Sequence, residues 1–131
     1  MKIIWRQKLG LETCPYLVRW VFDFGWFSIR LHHWLKSDDT RNFHDHPWDF
    51  VSIVLWGTII DRTEKGDITR LWLSISKFPA EHQHCAVINK PCWTLLFCGP
   101  ERRIWGYWVN GKFRKRNKYY YENEHHNPCQ E

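Results

Sequence analysis

Eight histidines occur in this 131-residue chain, and four of them stand in two pairs, His44-x-His46 and His82-x-His84. On a strand, side chains two residues apart point to the same face. Each pair therefore turns two imidazoles to one side of its strand. Neutral imidazole is the commonest metal ligand, and two on one face supply half of a tetrahedral coordination sphere. A third imidazole from a neighbouring strand fills three positions and leaves others open for water or substrate. That is the geometry of a catalytic metal centre rather than a structural one. His125 and His126 lie in the polar tail and are expected to do nothing specific.

The elements that must position these rings read as short β-runs split by turn signals. Gly25–Leu35 alternates, with Phe27, Ile29, Leu31, His33 and Leu35 on one face and Trp26, Ser28, Arg30, His32 and Trp34 on the other. Asp49–Asp61 is rich in Val, Ile and Trp. Gly57 within it marks a bend or a close backbone approach. Ile68–Lys77, His84–Ile88, Trp93–Cys98, Arg103–Val109 and the segment from Phe113 onward supply further strands. Asn110-Gly111 between the last two is a strong two-residue hairpin signal. Only Tyr16–Phe24, with Leu17, Trp20, Val21 and Phe24 at i, i+3, i+4, i+7 spacing, fits a short helix. The tail from Glu122 to Glu131 reads as frayed. Seven or more short strands at regular spacing imply an all-β sandwich or barrel.

The wider context of both histidine pairs resembles the cupin superfamily. The first pair sits in N-F-H-D-H-P-W-D-F, where His46 is followed by three residues, Phe50, six residues and Gly57; the cupin first motif has Glu where Phe50 stands. The second pair sits in F-P-A-E-H-Q-H, where Pro79-Ala80-Glu81 is followed by two residues and His84; the cupin second motif has Gly where Glu81 stands. The likeness covers roughly residues 25–110. It extends to small single-domain cupins of bacteria and their phages that carry H-D-H-P-W-D-F and W-T-L-x-x-x-G-P stretches. The resemblance implies a single cupin-like jelly-roll domain over residues 1–131, with at most a short N-terminal helix and a basic, polar segment over 111–131. It also implies His44, His46 and His84 as metal ligands. His82 is then a fourth ligand or a proton-transfer residue. Fe(II) is the first choice of metal, with Zn, Mn and Ni as alternatives. Phe50 has the parity of His44 and His46, so a regular strand points its ring into the cavity beside Trp48. Asp49 points away unless a bulge intervenes.

Other residues offer supporting chemistry. Glu81 is a candidate general base or imidazole-orienting group. Arg102 and Arg103 follow the Gly99-Pro100 turn, where a guanidinium can clamp a carboxylate or phosphate. Arg30 and His32 either line the same cavity or face water.

Composition narrows the classes. At 44% hydrophobic and 25% charged residues the chain is neither disordered nor collagen-like. No apolar run approaches the roughly 20 residues of a bilayer span. The five cysteines show no C-x-x-C spacing and read as reduced thiols in a cytoplasmic protein, most of them small core residues. The ten tryptophans are expected to fill the space between sheets. The net charge of +5 is concentrated in Arg102, Arg103 and Lys112–Lys118. It favours an anionic small molecule over nucleic acid, because no nucleic-acid motif accompanies it.

The expected function is a small metal-dependent cupin, an oxidoreductase or isomerase acting on a polar or anionic molecule. One alternative is a metal-free module that holds a nucleotide or sugar phosphate; another is nucleic-acid binding through the basic C-terminal segment. Phe50–Trp56 is apolar on both faces, which fits a sandwich interior or a homodimer interface.

Overall fold

The computed structural model of the chain describes residues 1–130. Twelve strands run in the order β1 (Lys2–Leu11), β2 (Cys14–Asp23), β3 (Ser28–Trp34), β4 (Phe43–His44), β5 (Phe50–Trp56), β6 (Ile59–Thr63), β7 (Gly66–Arg70), β8 (Ile75–Phe78), β9 (Cys85–Val87), β10 (Cys92–Cys98), β11 (Gly106–Val109) and β12 (Lys112–Lys115). A helix α1 (Arg116–Glu122) and a 3-10 turn (Pro128–Gln130) follow.

The strands form two layers. One is a six-stranded antiparallel sheet in the order β1-β2-β3-β10-β5-β8. The other consists of two three-stranded sheets, β12-β11-β4 and β7-β6-β9. A single backbone bridge joins these two: His44 N donates to His84 O at 2.9 Å and His84 N donates to His44 O at 3.0 Å. A cavity of about 710 Å³ lies between the layers, within the size range of small-molecule sites.

Alternation in β3, β5 and β10 decides what faces the cavity. Arg30, His32, Phe50, Ser52, Val54, Thr94 and Leu96 line it, while their neighbours turn outward. The Asn110-Gly111 hairpin forms as expected. Val109 pairs with Lys112, and both turn residues have positive φ (51° and 76°), as a type I′ turn requires. Gly57 is a close approach: a Cβ there would lie 2.9 Å from Cys92 Cβ.

Four expectations need correction. Tyr16–Phe24 is not a helix but most of β2, which pairs with β1 on one side and β3 on the other. Leu17 and Val21 are buried on its inner side while Trp20 stacks on Trp93 outside, so an apolar pattern on two faces mimicked helical spacing. The helix instead lies near the C-terminus. Tyr119 in α1 is fully buried, stacks on Tyr107 at 3.9 Å and donates its hydroxyl to Asp39 at 2.9 Å. The tail beyond it is tied down rather than frayed: Pro128 is buried and Cys129 is disulfide-bonded to Cys14. That bond corrects the reading of all five cysteines as thiols. Cys85, Cys92 and Cys98 are free and buried, and burial pushes their thiols up to about 12, 11 and 11, as expected of small core residues. Finally, the tryptophans do not all fill the interior: Trp5, Trp26, Trp56 and Trp72 are exposed.

The basic segment 112–118 spans β12 and α1. Arg114 and Lys118 face Glu122 at 3.7 and 3.9 Å, and Arg116 lies over the Trp105 ring. Among the described residues, no helix is long and apolar enough to cross a membrane.

Candidate metal centre

The seam between the two small sheets brings the two histidine pairs together. Directly opposed residues of an antiparallel bridge carry their side chains on the same face, with Cβ atoms about 4.5–5.5 Å apart. The His44–His84 bridge therefore sets those two rings side by side, with centroids 4.9 Å apart. His46, two residues beyond His44, points the same way. Its centroid is 5.2 Å from His44 and 4.9 Å from His84. One nitrogen from each of the three rings lies within 4.8 Å of the other two.

Between His44 and His46, Asp45 points the opposite way and pins the segment. Its carboxylate is 1% exposed. It accepts from Gly106 N at 2.9 Å and from Trp108 Nε1 at 2.9 Å, and pairs with Arg103 Nη1 at 2.8 Å. Arg103 also donates to the His46 carbonyl.

The third ring is oriented by Asp61 of β6. His84 Nδ1 bonds one oxygen of Asp61, while His82 Nε2 lies 3.2 Å from the other and Arg70 Nη2 adds a contact at 3.3 Å. A carboxylate on Nδ1 fixes the Nδ1–H tautomer and leaves the Nε2 lone pair free. That Nε2 lies 3.1 Å from His46 Nε2. Two nitrogens each about 2.1 Å from one cation and roughly 90–110° apart would stand about 3.0–3.4 Å apart, so this spacing fits neighbouring ligands of one metal.

Protonation also favours ligation. Burial, followed by the neighbouring imidazoles, holds His44 and His46 well below the usual range. Burial lowers His84 too, against the pull of Asp61. All three are neutral near pH 7, as a ligand must be. Burial pushes Asp61 up, but hydrogen bonds from His82 and His84 together outweigh it and hold the carboxyl well below its ordinary value.

The remaining expected site residues divide. Phe50 and Trp48 line the cavity; the Phe50 ring lies 4.7 Å and the Trp48 ring 5.9 Å from that of His46. Asp49 points away, accepting from Ala80 N at 2.8 Å. His82 turns to Asp61 and, with Asp61 and His84, forms a second group whose possible ligand atoms lie within 4.8 Å of one another, separate from His44 and His46. Glu81, Arg102 and Arg103 do not line the cavity. Arg102 pairs with both Asp49 and Glu81 in an exposed cluster apart from the three rings. Arg103 is committed to Asp45. The sequence reading missed Asp61. Its signal was a carboxylate directly after Ile59-Ile60 in a β-run, which when buried must find a partner.

No family model matches the chain, and no curated protein is similar to it in sequence. Solved structures are similar in fold. A RmlC-like cupin from Shewanella frigidimarina aligns with TM-score 0.56 and 17% identity over 74% of this chain and 87% of its own. A sugar phosphate isomerase of the cupin superfamily from Silicibacter pomeroyi aligns with TM-score 0.52 and 18% identity over 68% of this chain and 64% of its own. The crystal structure of FeII HppE aligns with TM-score 0.59 and 11% identity over 74% of this chain and 55% of its own. At such identities the likeness is one of architecture: the chain has a small all-β cupin fold. Its histidine cluster stands between the two layers of that fold, where a divalent metal can be held.

Proposed function

We propose that this protein is a metal-dependent cupin-type enzyme in which His44, His46 and His84 hold one divalent cation and a small anionic molecule occupies the cavity beside it. The observation that carries this reading is the 3.1 Å approach of two neutral imidazole nitrogens, one of them fixed in its tautomer by Asp61. Three imidazoles suit Fe, Zn, Cu or Ni better than Mg or Ca. Fe(II) is the preferred candidate, in keeping with the fold likeness to FeII HppE, followed by Zn, Mn and Ni.

A bound metal supplies Lewis acidity and, as Fe(II), one-electron chemistry. The chain supplies the rest. Asp61 orients His84 and links it to His82, which is partly exposed and so gives a proton route from the rim. Phe50, in place of a carboxylate, leaves the ligand set uncharged and narrows the cavity beside His46. Trp48 and Trp105 line the same space with apolar rings.

Metal analysis of protein purified without a histidine tag tests the reading. The expected content is about one metal per chain, falling below about 0.1 in the His46→Ala/His84→Ala double variant. Equal, trace content in both would leave the metal-free binding module as the better account.

The proposed state of assembly is a homodimer. Trp20, Leu31, Leu95, Ile53 and Ile75 form one continuous register row across β2, β3, β10, β5 and β8 on the outer face of the large sheet. Phe22, Ile29, Phe97 and Val51 form the next row. Six strands of this length present roughly 650 Å² from strand spacing and rise alone. With side-chain relief added, that approaches the roughly 800 Å² per partner of a stable interface. The occupant proposed is a second copy about a two-fold axis. Light scattering after gel filtration should give twice the chain mass, and Ile53→Glu/Leu95→Glu should give a soluble monomer. A monomeric parent at micromolar concentration contradicts the assignment.

A further inference from the structure

The inner face of β2 and β3 carries two arginines that, among the described residues, form no ion pair. Arg19 stands opposite His32 in the register, and Arg30 follows one inward position along β3. All three line the cavity. Arg41, Arg62, Arg70, Arg102, Arg103 and Arg114 each face a carboxylate. Among the described residues, Arg19 and Arg30 form no ion pair. Each spends its Nε on a neutral oxygen, Arg19 on Gln7 at 2.8 Å and Arg30 on Ser28 at 3.1 Å. Their guanidinium ends remain available to the cavity.

His32 points independently to a ligand. It is 7% exposed, and both ring nitrogens are buried without a hydrogen-bond partner. Leaving a buried polar atom unsatisfied is costly, so two on one ring require a reason. Burial, then Arg19 and Arg30, push this imidazole down to about 3, so it is neutral and carries one N–H to donate. Glu101 also lines the cavity but pairs with neither arginine, and the aspartates there are otherwise engaged. Asp39 binds Arg41, Asp45 binds Arg103, Asp61 binds Arg70 and both histidines, Asp23 accepts from Gly25 N and Asp38 accepts from Ala86 N.

We infer that Arg19, Arg30 and His32 form an oxyanion-binding subsite that grips a carboxylate or phosphate group of the molecule on which the histidine centre acts. Two guanidiniums and one imidazole N–H match the several acceptor lone pairs of such a group, with geometry a lone ammonium cannot reproduce. Trp48 connects this subsite to the histidines: Arg30 lies 4.9 Å from its ring centroid, and the ring is 5.9 Å from that of His46. A compact molecule held by its anionic end at Arg30 therefore extends past one indole to reach His46. The subsite rests on the proposed function only for where chemistry occurs; its anion binding needs no metal.

The test is titration calorimetry of the metal-free full chain at low ionic strength, with inorganic phosphate and malonate as separate probes. One saturable site is expected for at least one of them, at a Kd of about 1 mM or tighter. Preference for phosphate marks a phosphorylated molecule, and preference for malonate an organic acid. Arg19→Gln and Arg30→Gln should each weaken binding about tenfold or more. His46→Ala/His84→Ala should bind within about twofold of the parent, so loss of metal and loss of the anion site are separable. Arg19→Met and Arg30→Met guard against misfolding. Each removes a half-buried cation without a counter-charge, so the ligand-free melting temperature should hold or rise. Four results would overturn the assignment: no saturable binding of either probe up to about 50 mM, parent-like affinity in both Gln variants, binding that disappears only with the histidine pair, or a fall in melting temperature in both Met variants.

Discussion

Replacing Asp45 with alanine should cost about 3–5 kcal/mol of folding stability, the range for breaking a buried charge pair. The carboxylate is 1% exposed and satisfies the Gly106 amide, the Trp108 indole and the Arg103 guanidinium at once. Alanine leaves the Gly106 amide and the Trp108 indole without an acceptor and strips the largely buried Arg103 of its counter-charge. A whole domain is stable by about 5–15 kcal/mol, so the variant should sit close to unfolding at room temperature. Because Asp45 fixes the segment that carries His44 and His46, metal content should fall with it. Urea denaturation checks the first effect. A change below about 1 kcal/mol would show that the three contacts do not hold the segment. Asp45→Asn is the informative companion: it keeps an oxygen for Gly106 or Trp108 but leaves Arg103 unpaired, so its loss should fall between the two.

Asp61→Asn should weaken metal affinity by about 10–100-fold with little change in fold, the usual effect of removing a carboxylate behind a metal-binding imidazole. The substitution keeps the shape of the side chain. It removes the charge that holds the proton on His84 Nδ1 and that pairs with Arg70. The Nε2 lone pair then faces His46 for only part of the time. Competition against a chelator, with Zn²⁺ as probe, measures the change. An affinity within twofold of the parent would mean that Asp61 is a structural partner of Arg70 and His82 only.

What was legible in the sequence follows from period-two geometry. His44, His46 and Phe50 face one way, Asp49 turns outward and the Asn110-Gly111 hairpin forms, although β4 ends at His44 and β5 begins at Phe50, so residues 45–49 are not regular strand. The parts that escaped depend on residues far apart in the chain. Cys14 and Cys129 are separated by 115 positions, and no local pattern announces their pairing. Arg19 was hidden by the apparent helix over Tyr16–Phe24, since a strand with apolar residues on both faces also shows i, i+3, i+4 spacing. Read as β2, the same stretch puts Arg19 opposite His32. Arg102 and Arg103 illustrate the converse. Their place beside a turn suggested an anion clamp, but Asp49, Glu81 and Asp45, brought in by the fold, neutralise them. Exposure of Trp5, Trp26, Trp56 and Trp72 could not be read from residue type either, because aromatic residues suit strand surfaces as well as cores.

The most direct measurement is anomalous diffraction from crystals of untagged protein loaded with Fe(II) or Zn²⁺, recorded on both sides of the metal absorption edge. A single peak about 2.0–2.3 Å from one nitrogen of each of His44, His46 and His84 is the predicted result. A metal seated instead between Asp61 and His82, or crystals in which the three imidazoles face each other with no peak among them, would contradict it.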